Sequence, residues 1–441
     1  MVCLLRTSKE MSFVIKRGVN YKARTSQPSF RFPALFTESG LLISHLRFLH
    51  ENRYKSQSWL ERNAFAVELL LKFIERQVSN FSSATDLLRA FVEALQFGTI
   101  QDGQDSSGLF WSTRRNEDVN VLLRHITDYC DYLDTVHGTD LPKLNPLRKA
   151  THAEERLQWC AYYRRHSRSF LNHLANPSRQ QFSVVRMIRG PERHLVDIEA
   201  VYRFPEDRIE DLLLHGFVSP SGKPDYASQL IVMLMHFGGL RLSECFHIYV
   251  HDVHVDLKSG SALISVFHPS DGQSPDERFC KRTEYLANKY RLNPRNEYSR
   301  SHKLYAGWKG PLLTNRNLSF DVMFYPASKA VEFTLVLQKY LDTKPSSESP
   351  FLFVNSKGNP ESKKNFYQKH NRAVRRIGLE PSKSLGTTPH AHRHSYGYRL
   401  SQRGFSQLEI QKAMHHKSPE SCLVYLKPSD DEVRRQMRDA H

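Results

Sequence analysis

Apolar residues recur at intervals of three and four through most of the first third of the chain. Between residues 35 and 140 this helical pattern is carried by four segments that polar turns separate: LLISHLRFLH, SWLERNAFAVELLLKFIERQV, SSATDLLRAFVEAL and NEDVNVLLRHITDYCDYL. The pattern predicts a small all-helical domain. Residues 1–34 are basic, contain Pro and Ser and show little periodicity, which predicts a basic, flexible N-terminal arm.

Residues 141–202 read as a helical extension followed by a linker. EERLQWCAYYRRHSRSFLNHL has a helical pattern, and NPSRQQFSVVRMIRGPER is polar and rich in Arg. We predict a domain boundary between about residues 176 and 203, because composition shifts there. The basic connector fits two interpretations: a segment that wraps a polyanion, or a solvated linker.

Residues 203–441 mix helices with short strands. YASQLIVMLMHFGG predicts a buried helix, VHVDLKSGSALISVF a hairpin, FDVMFYP a short strand and KAVEFTLVLQKYL another helix. A polar, basic, Tyr-rich insert at about residues 268–308 interrupts this pattern. The expected fold class is therefore mainly α with a small β-sheet, in two or more domains.

Helix boundaries are marked clearly near the C-terminus. Thr388 is a capping residue type and Pro389 suits the first position of a helix. Ser406 and Glu409 form a capping-box pattern for the next helix, and Ser429 marks the start of a last one. The segment HAHRHSYGYRLSQRG, residues 390–404, thus begins a helix.

The charge balance favours a polyanionic partner. Lys and Arg number 63 against 46 Asp and Glu, which gives a formal net charge of +17 over 441 residues. The six cysteines are scattered without a C-x-x-C spacing and indicate reduced, mostly buried thiols. No apolar run suits a signal peptide or a membrane span, so we expect a cytoplasmic protein that meets DNA or RNA and no membrane.

His390 and Arg393 lie three positions apart, on one face of the predicted helix and within its first two turns. Free backbone N–H groups and the helix dipole favour an anion there, and the geometry suits one phosphate. A polar surface face is the simpler alternative. Metal binding through His390, His392 and His394 is disfavoured, because alternate residues of a helix point apart, and we predict no metal.

The order Arg, His-x-x-Arg, His, Tyr resembles the tyrosine recombinase (phage integrase) family. The matching residues are Arg241 in GGLRLSE, His390 and Arg393 in HAHRH, His416 in MHHKS, and Tyr425. The resemblance covers about residues 200–441 and implies an α+β catalytic domain over 203–441. The helical region 35–140 is similar by pattern alone to the family's core-binding domain.

The resemblance implies site-specific recombination of duplex DNA through a 3′-phosphotyrosyl bond. Arg241 and Arg393 would fork onto the phosphate oxygens, and Tyr425 would be the nucleophile. His390 would be a general base or a phosphate donor, and His416 a phosphate donor. No cofactor is implied, because the phosphotyrosyl bond keeps the energy for rejoining. Glu244 matches an acidic position of the family that orients the arginines or the histidine; the alternative is an ordinary acid on a helix surface. For Tyr425, the alternative is a tyrosine that is only packed against the protein.

The family also implies a lysine that protonates the leaving 5′ oxygen. Lys309 in GWKGP is our candidate, and Lys303 and Lys281 are the alternatives. The insert departs from the family pattern, and its basic residues between tyrosines are candidates for DNA binding; the alternative is a solvated, partly ordered loop. These candidates are Arg291, Arg295, Arg300 and Lys303. A second departure is His415 where a Gly is usual, which leaves open whether His415 or His416 faces the site.

The implied partners are duplex DNA and further copies of the chain. The family implies a tetramer on paired DNA sites and a dimer or monomer without DNA, with other proteins of the same mobile element as further partners. Integration, excision and transposition all fit, with association with the nucleoid if the host is bacterial. The alternatives are a type IB topoisomerase-like enzyme and a non-catalytic DNA-binding protein of the same fold. A metal nuclease lacks the carboxylate cluster that it would need.

Overall fold

The computed structural model describes residues 13–22, 30–77, 81–137, 143–166, 183–191, 202–219 and 222–426, together with positions 434, 437 and 438. The chain divides into two compact units, Met1–Val196 and Asp197–His441, which are described separately. The fold class is the expected one, since helices predominate and the sheets are small. No helix in the described part of the chain is both long and apolar enough to cross a membrane.

Four helices form the centre of the first unit, in the region where periodicity predicts them. They are α1 (Ile43–Glu51), α2 (Gln57–Gln77), α3 (Ala84–Phe97) and α4 (Asn116–His137). The side chain of Ser83 accepts a hydrogen bond from the backbone N–H of Asp86 and begins α3. Apolar faces of α2, α3 and α4 close a core around Phe73, Phe91 and Trp111.

The prediction of a flexible N-terminal arm is wrong for the part of residues 1–34 that the structure describes, because two strands pair there as a hairpin. Strand β1 (Ile15–Tyr21) pairs antiparallel with β2 (Phe30–Thr37), which also pairs with β3 (Gly40–Leu41). Phe32 and Leu35 of β2 are buried in a core shared with α1 and α2. The consecutive Lys16 and Arg17 of β1 interrupt the alternating pattern of apolar and polar residues. Residues 1–12 and 23–29 lie outside the described part.

The linker region also contains regular structure. Strand β4 (Leu147–Lys149) pairs antiparallel with β5 (Val184–Arg186), and α5 (His152–His166) lies between them in the chain. The strand at 184–186 falls inside the connector that composition predicts to be irregular. Residues 167–182 and 192–201 of that region lie outside the described part.

A fully buried helix is the centre of the second unit. The short α6 (Ile209–Asp211) precedes this helix, α7 (Tyr226–His236), in which the residues from Ala227 onward are all buried. The other long helices of this unit are α10 (Lys329–Thr343), α11 (Lys363–Arg376) and α12 (Pro389–Gln402). The predicted hairpin is present as β6 (Val253–Val255) and β7 (Ala262–Phe267), and β8 (Ser319–Asp321) completes an antiparallel sheet in the order β6-β7-β8.

Short helices connect these elements and finish the unit. They are α8 (Leu242–Cys245), α9 (Arg282–Tyr285), α13 (Gln407–Ala413) and α14 (Leu423–Leu426). The capping box of Ser406 and Glu409 is formed at the start of α13. The last helix predicted from Ser429 falls on residues that lie almost wholly outside the described part.

The insert at 268–308 packs against the unit and is not a partly ordered loop. Tyr285 and Leu286 are buried in a cluster with Tyr249 and Phe351. Arg282 forms a buried ion pair with Asp252, in which one guanidinium nitrogen lies 3.0 Å from a carboxylate oxygen. The thiols also differ from expectation, since among the described cysteines only Cys245 and Cys422 are buried.

Candidate active site

A tight turn after α7 presents Arg241. Gly239 has a φ of +67°, and a Cβ there would lie 2.5 Å from the Tyr396 ring, so both the backbone and the space require glycine. The turn places Arg241 at the N-cap of α8. Its side chain keeps 19% of its surface exposed, which leaves part of the guanidinium open to a ligand.

Glu244 joins the two arginines that the sequence singles out. One carboxylate oxygen lies 2.6 Å from the Arg241 guanidinium, and the other accepts the Arg241 backbone N–H at 2.7 Å. The latter oxygen also lies 3.8 Å from the Arg393 guanidinium. Glu244 is completely buried, so it contacts the arginines away from bulk water and is not a surface helix acid.

Arg393 lies inside the protein on α12 and is only 2% exposed. Its guanidinium donates hydrogen bonds to the carbonyl oxygen of Gly239 and, at 2.6 Å, to that of Met414. Burial, and then the positive charge of Arg241, lower the pKa of Arg393 to about 10. The group remains a cation at neutral pH, and main-chain atoms on both sides hold it in place.

His390 is exposed and lies in the first turn of α12. Thr388 is the N-cap of α12 and Pro389 its first residue, as predicted, although no side-chain capping bond is made by Thr388. The ring of His390 packs edge-on against His394, one turn later, with centroids 4.5 Å apart. Desolvation, followed by the charges of His394, Arg393, Lys309 and Arg241, lowers the pKa of His390 to about 3. His390 is therefore neutral at pH 7.

Lys309 lies near this group of side chains. It is exposed, and its positive charge contributes to the lowered pKa values of both His390 and the half-buried Lys363. Of the alternatives, Lys281 pairs with Asp271 at 3.0 Å, and Lys303 is exposed on the insert.

Tyr425 packs against α12, and its hydroxyl contacts a histidine of that helix. Its oxygen lies 3.1 Å from Nδ1 of His394, and the side chain is 5% exposed. Gly397 makes room for the ring, because a Cβ at that position would lie 2.9 Å from Cε1 of Tyr425. Burial raises the pKa of Tyr425, while the positive charges of Arg393 and Arg241 act in the opposite direction.

The two consecutive histidines before α14, His415 and His416, pack against different parts of the second unit. His416 stacks parallel to Tyr425, with ring centroids 6.2 Å apart, and its Nδ1 lies 3.1 Å from Sγ of Cys422. His415 packs on Phe320 instead, at 3.8 Å, and is completely buried. His415 also has a φ of +53°, which explains why a glycine would be easier to place there.

Sequence reasoning missed two residues of this site. His394 and Cys422 contact Tyr425 and His416, respectively. His394 follows His390 by one helical turn, and that spacing was the available signal. Nothing in the sequence pattern distinguishes Cys422 from an ordinary core thiol.

The candidate DNA-binding residues of the insert are not all alike. Arg291, Arg300 and Lys303 are exposed. Arg295 is 1% exposed and donates to the carbonyl oxygens of Leu304, Phe246 and Glu361, at 2.9, 3.3 and 2.7 Å. The assignment of Arg295 to DNA binding is therefore wrong, because each of its three guanidinium nitrogens already donates a hydrogen bond to a main-chain carbonyl oxygen.

In the described ranges, no group of three or more His, Cys, Asp or Glu side chains is arranged to hold a metal ion. The arrangement instead collects two guanidinium groups, three neutral histidines and a phenol around one place in the second unit. Such a set can bind a phosphodiester, stabilise added charge on its oxygens and present a hydroxyl nucleophile.

The model of the phage integrase family matches residues 323–432 of the chain. The chain is 30% identical over 115 residues to tyrosine recombinase XerD of Corynebacterium glutamicum, an alignment that covers 26% of this chain and 36% of that protein. It thus spans about a third of the length of this curated relative.

Two solved structures follow a partly similar course of the chain. The XerH site-specific recombinase bound to its difH substrate is 12% identical over 86% of this chain and 78% of that chain, with a TM-score of 0.48. A lambda integrase dimer bound to a core site is 12% identical over 88% and 95% of the respective chains, with a TM-score of 0.46.

Proposed function

We propose that this protein is a site-specific recombinase that cuts and rejoins duplex DNA through Tyr425. The observation that carries the proposal is the placement of the Tyr425 hydroxyl beside His394, in the pocket whose cations are Arg241 and Arg393. A buried tyrosine in a packed core does not require two arginines and three histidines around it. A transferable phosphate does, because negative charge develops on its oxygens during displacement.

The reaction exchanges one phosphodiester bond for another. The Tyr425 oxygen attacks the phosphorus, the bond from phosphorus to the 5′ oxygen breaks, and the DNA 3′ end stays attached to the tyrosine. Arg241 and Arg393 stabilise the non-bridging oxygens, His416 and His390 donate to the phosphate, and Lys309 gives a proton to the leaving 5′ oxygen. The 5′ hydroxyl of another strand reverses these steps, so that bond energy is conserved.

The wider setting follows from charge and from the kind of reaction. A net charge of +17 favours duplex DNA through its phosphates, with affinity that falls steeply as salt rises. The exposed Arg291, Arg300 and Lys303 add positive charge to the insert on the catalytic unit. We include in the proposal a tetramer on paired DNA sites and the movement of a mobile element by integration, excision or transposition.

The test is covalent capture. The full chain is incubated with a pool of duplexes that carry a nick beside a randomised segment, so that cleavage releases a short fragment bearing the 5′ hydroxyl and the adduct persists. Wild-type protein should give a protein–DNA adduct that resists denaturant, enriches particular sequences and carries the DNA on Tyr425 by peptide mapping. Tyr425→Phe should bind the recovered duplex with unchanged affinity and give no adduct.

Two results would overturn this proposal. One is an adduct of undiminished yield in Tyr425→Phe. The other is the absence of any wild-type adduct while the protein still binds the pool, which would favour a non-catalytic DNA-binding protein. An adduct without sequence enrichment, together with relaxation of any supercoiled plasmid by monomers, would identify a topoisomerase-like enzyme.

A further inference from the structure

His394 is the residue that contacts the reacting oxygen of Tyr425. Its Nδ1 lies 3.1 Å from the hydroxyl, within hydrogen-bond distance, and the two ring centroids are 5.8 Å apart at an angle of 49°. A general base must lie within hydrogen-bond reach of the proton that it removes. His394 meets this requirement in the structure as it stands.

The other basic groups around Tyr425 are differently engaged. His416 lies parallel to the phenol ring, at an interplanar angle of 14°, and its Nδ1 contacts Cys422. A stacked ring presents its face, whereas the Tyr425 hydroxyl lies in the plane of its own ring. Arg241 is paired with Glu244. Its guanidinium, like that of Arg393, has no lone pair with which to accept a proton.

His390 is placed to serve the phosphate and not the tyrosine. It occupies the exposed beginning of α12, and its ring packs against that of His394, the residue that contacts the Tyr425 hydroxyl. Its position in the first turn of α12 is where backbone N–H groups also favour an anion. The interpretation of His390 as the general base is therefore the weaker one, and donation to a phosphate oxygen suits it better.

The protonation state of His394 suits an acceptor. Burial, and then the positive charges of Arg393 and Lys383, lower the pKa of His394 to about 4, so the ring is neutral at pH 7. Nδ1 then has a free lone pair if the proton is on Nε2. The same cations make the ring a weak base, but a phosphodiester bound between the arginines brings a negative charge that offsets them.

From this contact geometry, we propose that His394 is a catalytic residue that accepts the proton of Tyr425 as its oxygen attacks the phosphorus. This step deepens the proposed function and rests on it. The O–H bond of Tyr425 breaks, Nδ1 gains the proton, and the electron pair of the breaking phosphorus–oxygen bond goes to the 5′ oxygen, which takes its proton from Lys309. On rejoining, the imidazolium returns its proton to the phenolate that leaves.

Two substitutions separate proton transfer from positioning. In His394→Asn, the amide oxygen is able to occupy the place of Nδ1 and to hold the hydroxyl, but it does not take up a proton at neutral pH. We expect single-turnover cleavage of the captured duplex to fall about 100-fold or more in both His394→Asn and His394→Ala, with DNA affinity unchanged. Imidazole added to His394→Ala should restore part of the rate, and more basic imidazoles should restore more.

His251→Ala is the matched control, because His251 is an exposed histidine of the same unit. It should cleave at the wild-type rate and show no response to imidazole. Cleavage by His394→Asn within about threefold of wild type would reduce His394 to a positioning residue and overturn the proposal. Rescue by imidazole in His390→Ala, with none in His394→Ala, would assign the proton to His390 instead.

A measurement without DNA distinguishes failure of this inference from failure of the proposed function. In protein with ¹⁵N-labelled histidine, the Nδ1 resonance of His394 should have the shift of an unprotonated, hydrogen-bonded nitrogen and should move in Tyr425→Phe. A protonated Nδ1, or one that does not respond to Tyr425→Phe, would overturn the role of His394 even if wild-type adducts form. A resonance that responds in a protein that forms no adduct would overturn the proposed function instead.

Discussion

The carbonyl oxygen of Gly239 accepts a hydrogen bond from the guanidinium of Arg393, a residue 154 positions later in the chain. This bond attaches the turn that presents Arg241 to the helix that carries His390 and His394. Because main-chain atoms hold the buried guanidinium, its orientation does not depend on a ligand. In the proposed reaction, this fixed placement of the Arg393 guanidinium would lower the reorganisation needed to bind a phosphate.

Glu244→Gln should weaken both the fold and the reaction. The substitution keeps hydrogen-bonding atoms but removes the negative charge that lies 2.6 Å from Arg241 and 3.8 Å from the buried Arg393. We expect the free energy of unfolding in urea to fall by about 3 kcal/mol, the usual cost of removing one partner of a buried ion pair. Adduct formation should fall at least tenfold as the arginines lose their common anchor.

Glu332→Gln is the control for that experiment. It breaks an ion pair with Lys329 whose length, 2.7 Å, is close to that of the pair between Glu244 and Arg241, but Glu332 is 50% exposed. Water screens this pair, so the change should cost less than about 1 kcal/mol. Equal, small losses in the two variants would show that Glu244 does not anchor the arginines.

Gly397→Ala should displace the candidate nucleophile. The added methyl would lie 2.7 Å from Sδ of Met414 and 2.9 Å from Cε1 of Tyr425, closer than packed atoms allow. We expect a loss of about 1–3 kcal/mol in the free energy of unfolding and a lower adduct yield. Ser401→Ala, on the same helix, should leave both unchanged. Helix propensity alone predicts the opposite, since Ala stabilises a helix relative to Gly, so a more stable Gly397→Ala would contradict the packing argument.

Arg295 and Arg300 should behave differently although both lie in the insert. Arg295→Ala removes three hydrogen bonds to main-chain carbonyl oxygens from a buried guanidinium and should destabilise the second unit by several kcal/mol. Arg300 is exposed, so Arg300→Ala should keep wild-type stability and weaken DNA binding, with a salt slope that is shallower by about one. Thermal unfolding and titrations of DNA binding against salt check both. A stable Arg295→Ala that binds DNA weakly would restore the original assignment.

His370→Gln should reduce the acid sensitivity of the fold. Nε2 of His370 lies 3.0 Å from Nε2 of His392, and burial lowers the pKa of His370 to about 3, against 6.5 in the unfolded chain. Below pH 6.5 the unfolded state binds the extra proton, so this group makes the free energy of unfolding fall as pH falls. Between pH 7 and pH 5 the loss is about 2 kcal/mol for one such histidine.

Gln keeps a polar group against His392 but does not titrate in this range. The difference in free energy of unfolding between pH 7 and pH 5, from urea unfolding, should be smaller in His370→Gln than in wild type by that amount. An identical pH dependence in the two proteins would show that His370 is already protonated in the folded state.

Local patterns were sufficient for much of the second unit. Apolar spacing predicted α7, α10 and the β6–β7 hairpin, and the capping residues Ser406 and Glu409 marked the start of α13. These features depend on residues close together in the chain, whose propensities act before distant contacts form. The N-terminal hairpin was missed because the consecutive Lys16 and Arg17 of β1 interrupt the alternation of apolar and polar residues.

The sequence by itself determined which residue types are available for the chemistry and in what order: Arg241, then His390 with Arg393, then His416 and Tyr425. Only the tertiary structure decided what each side chain contacts. In that structure, Arg295 donates to the carbonyl oxygens of Phe246 and Glu361. His415 packs on Phe320, and His394 contacts the Tyr425 hydroxyl. The physical reason is that burial and hydrogen bonding depend on groups from distant parts of the chain, and no local pattern records which of them will meet.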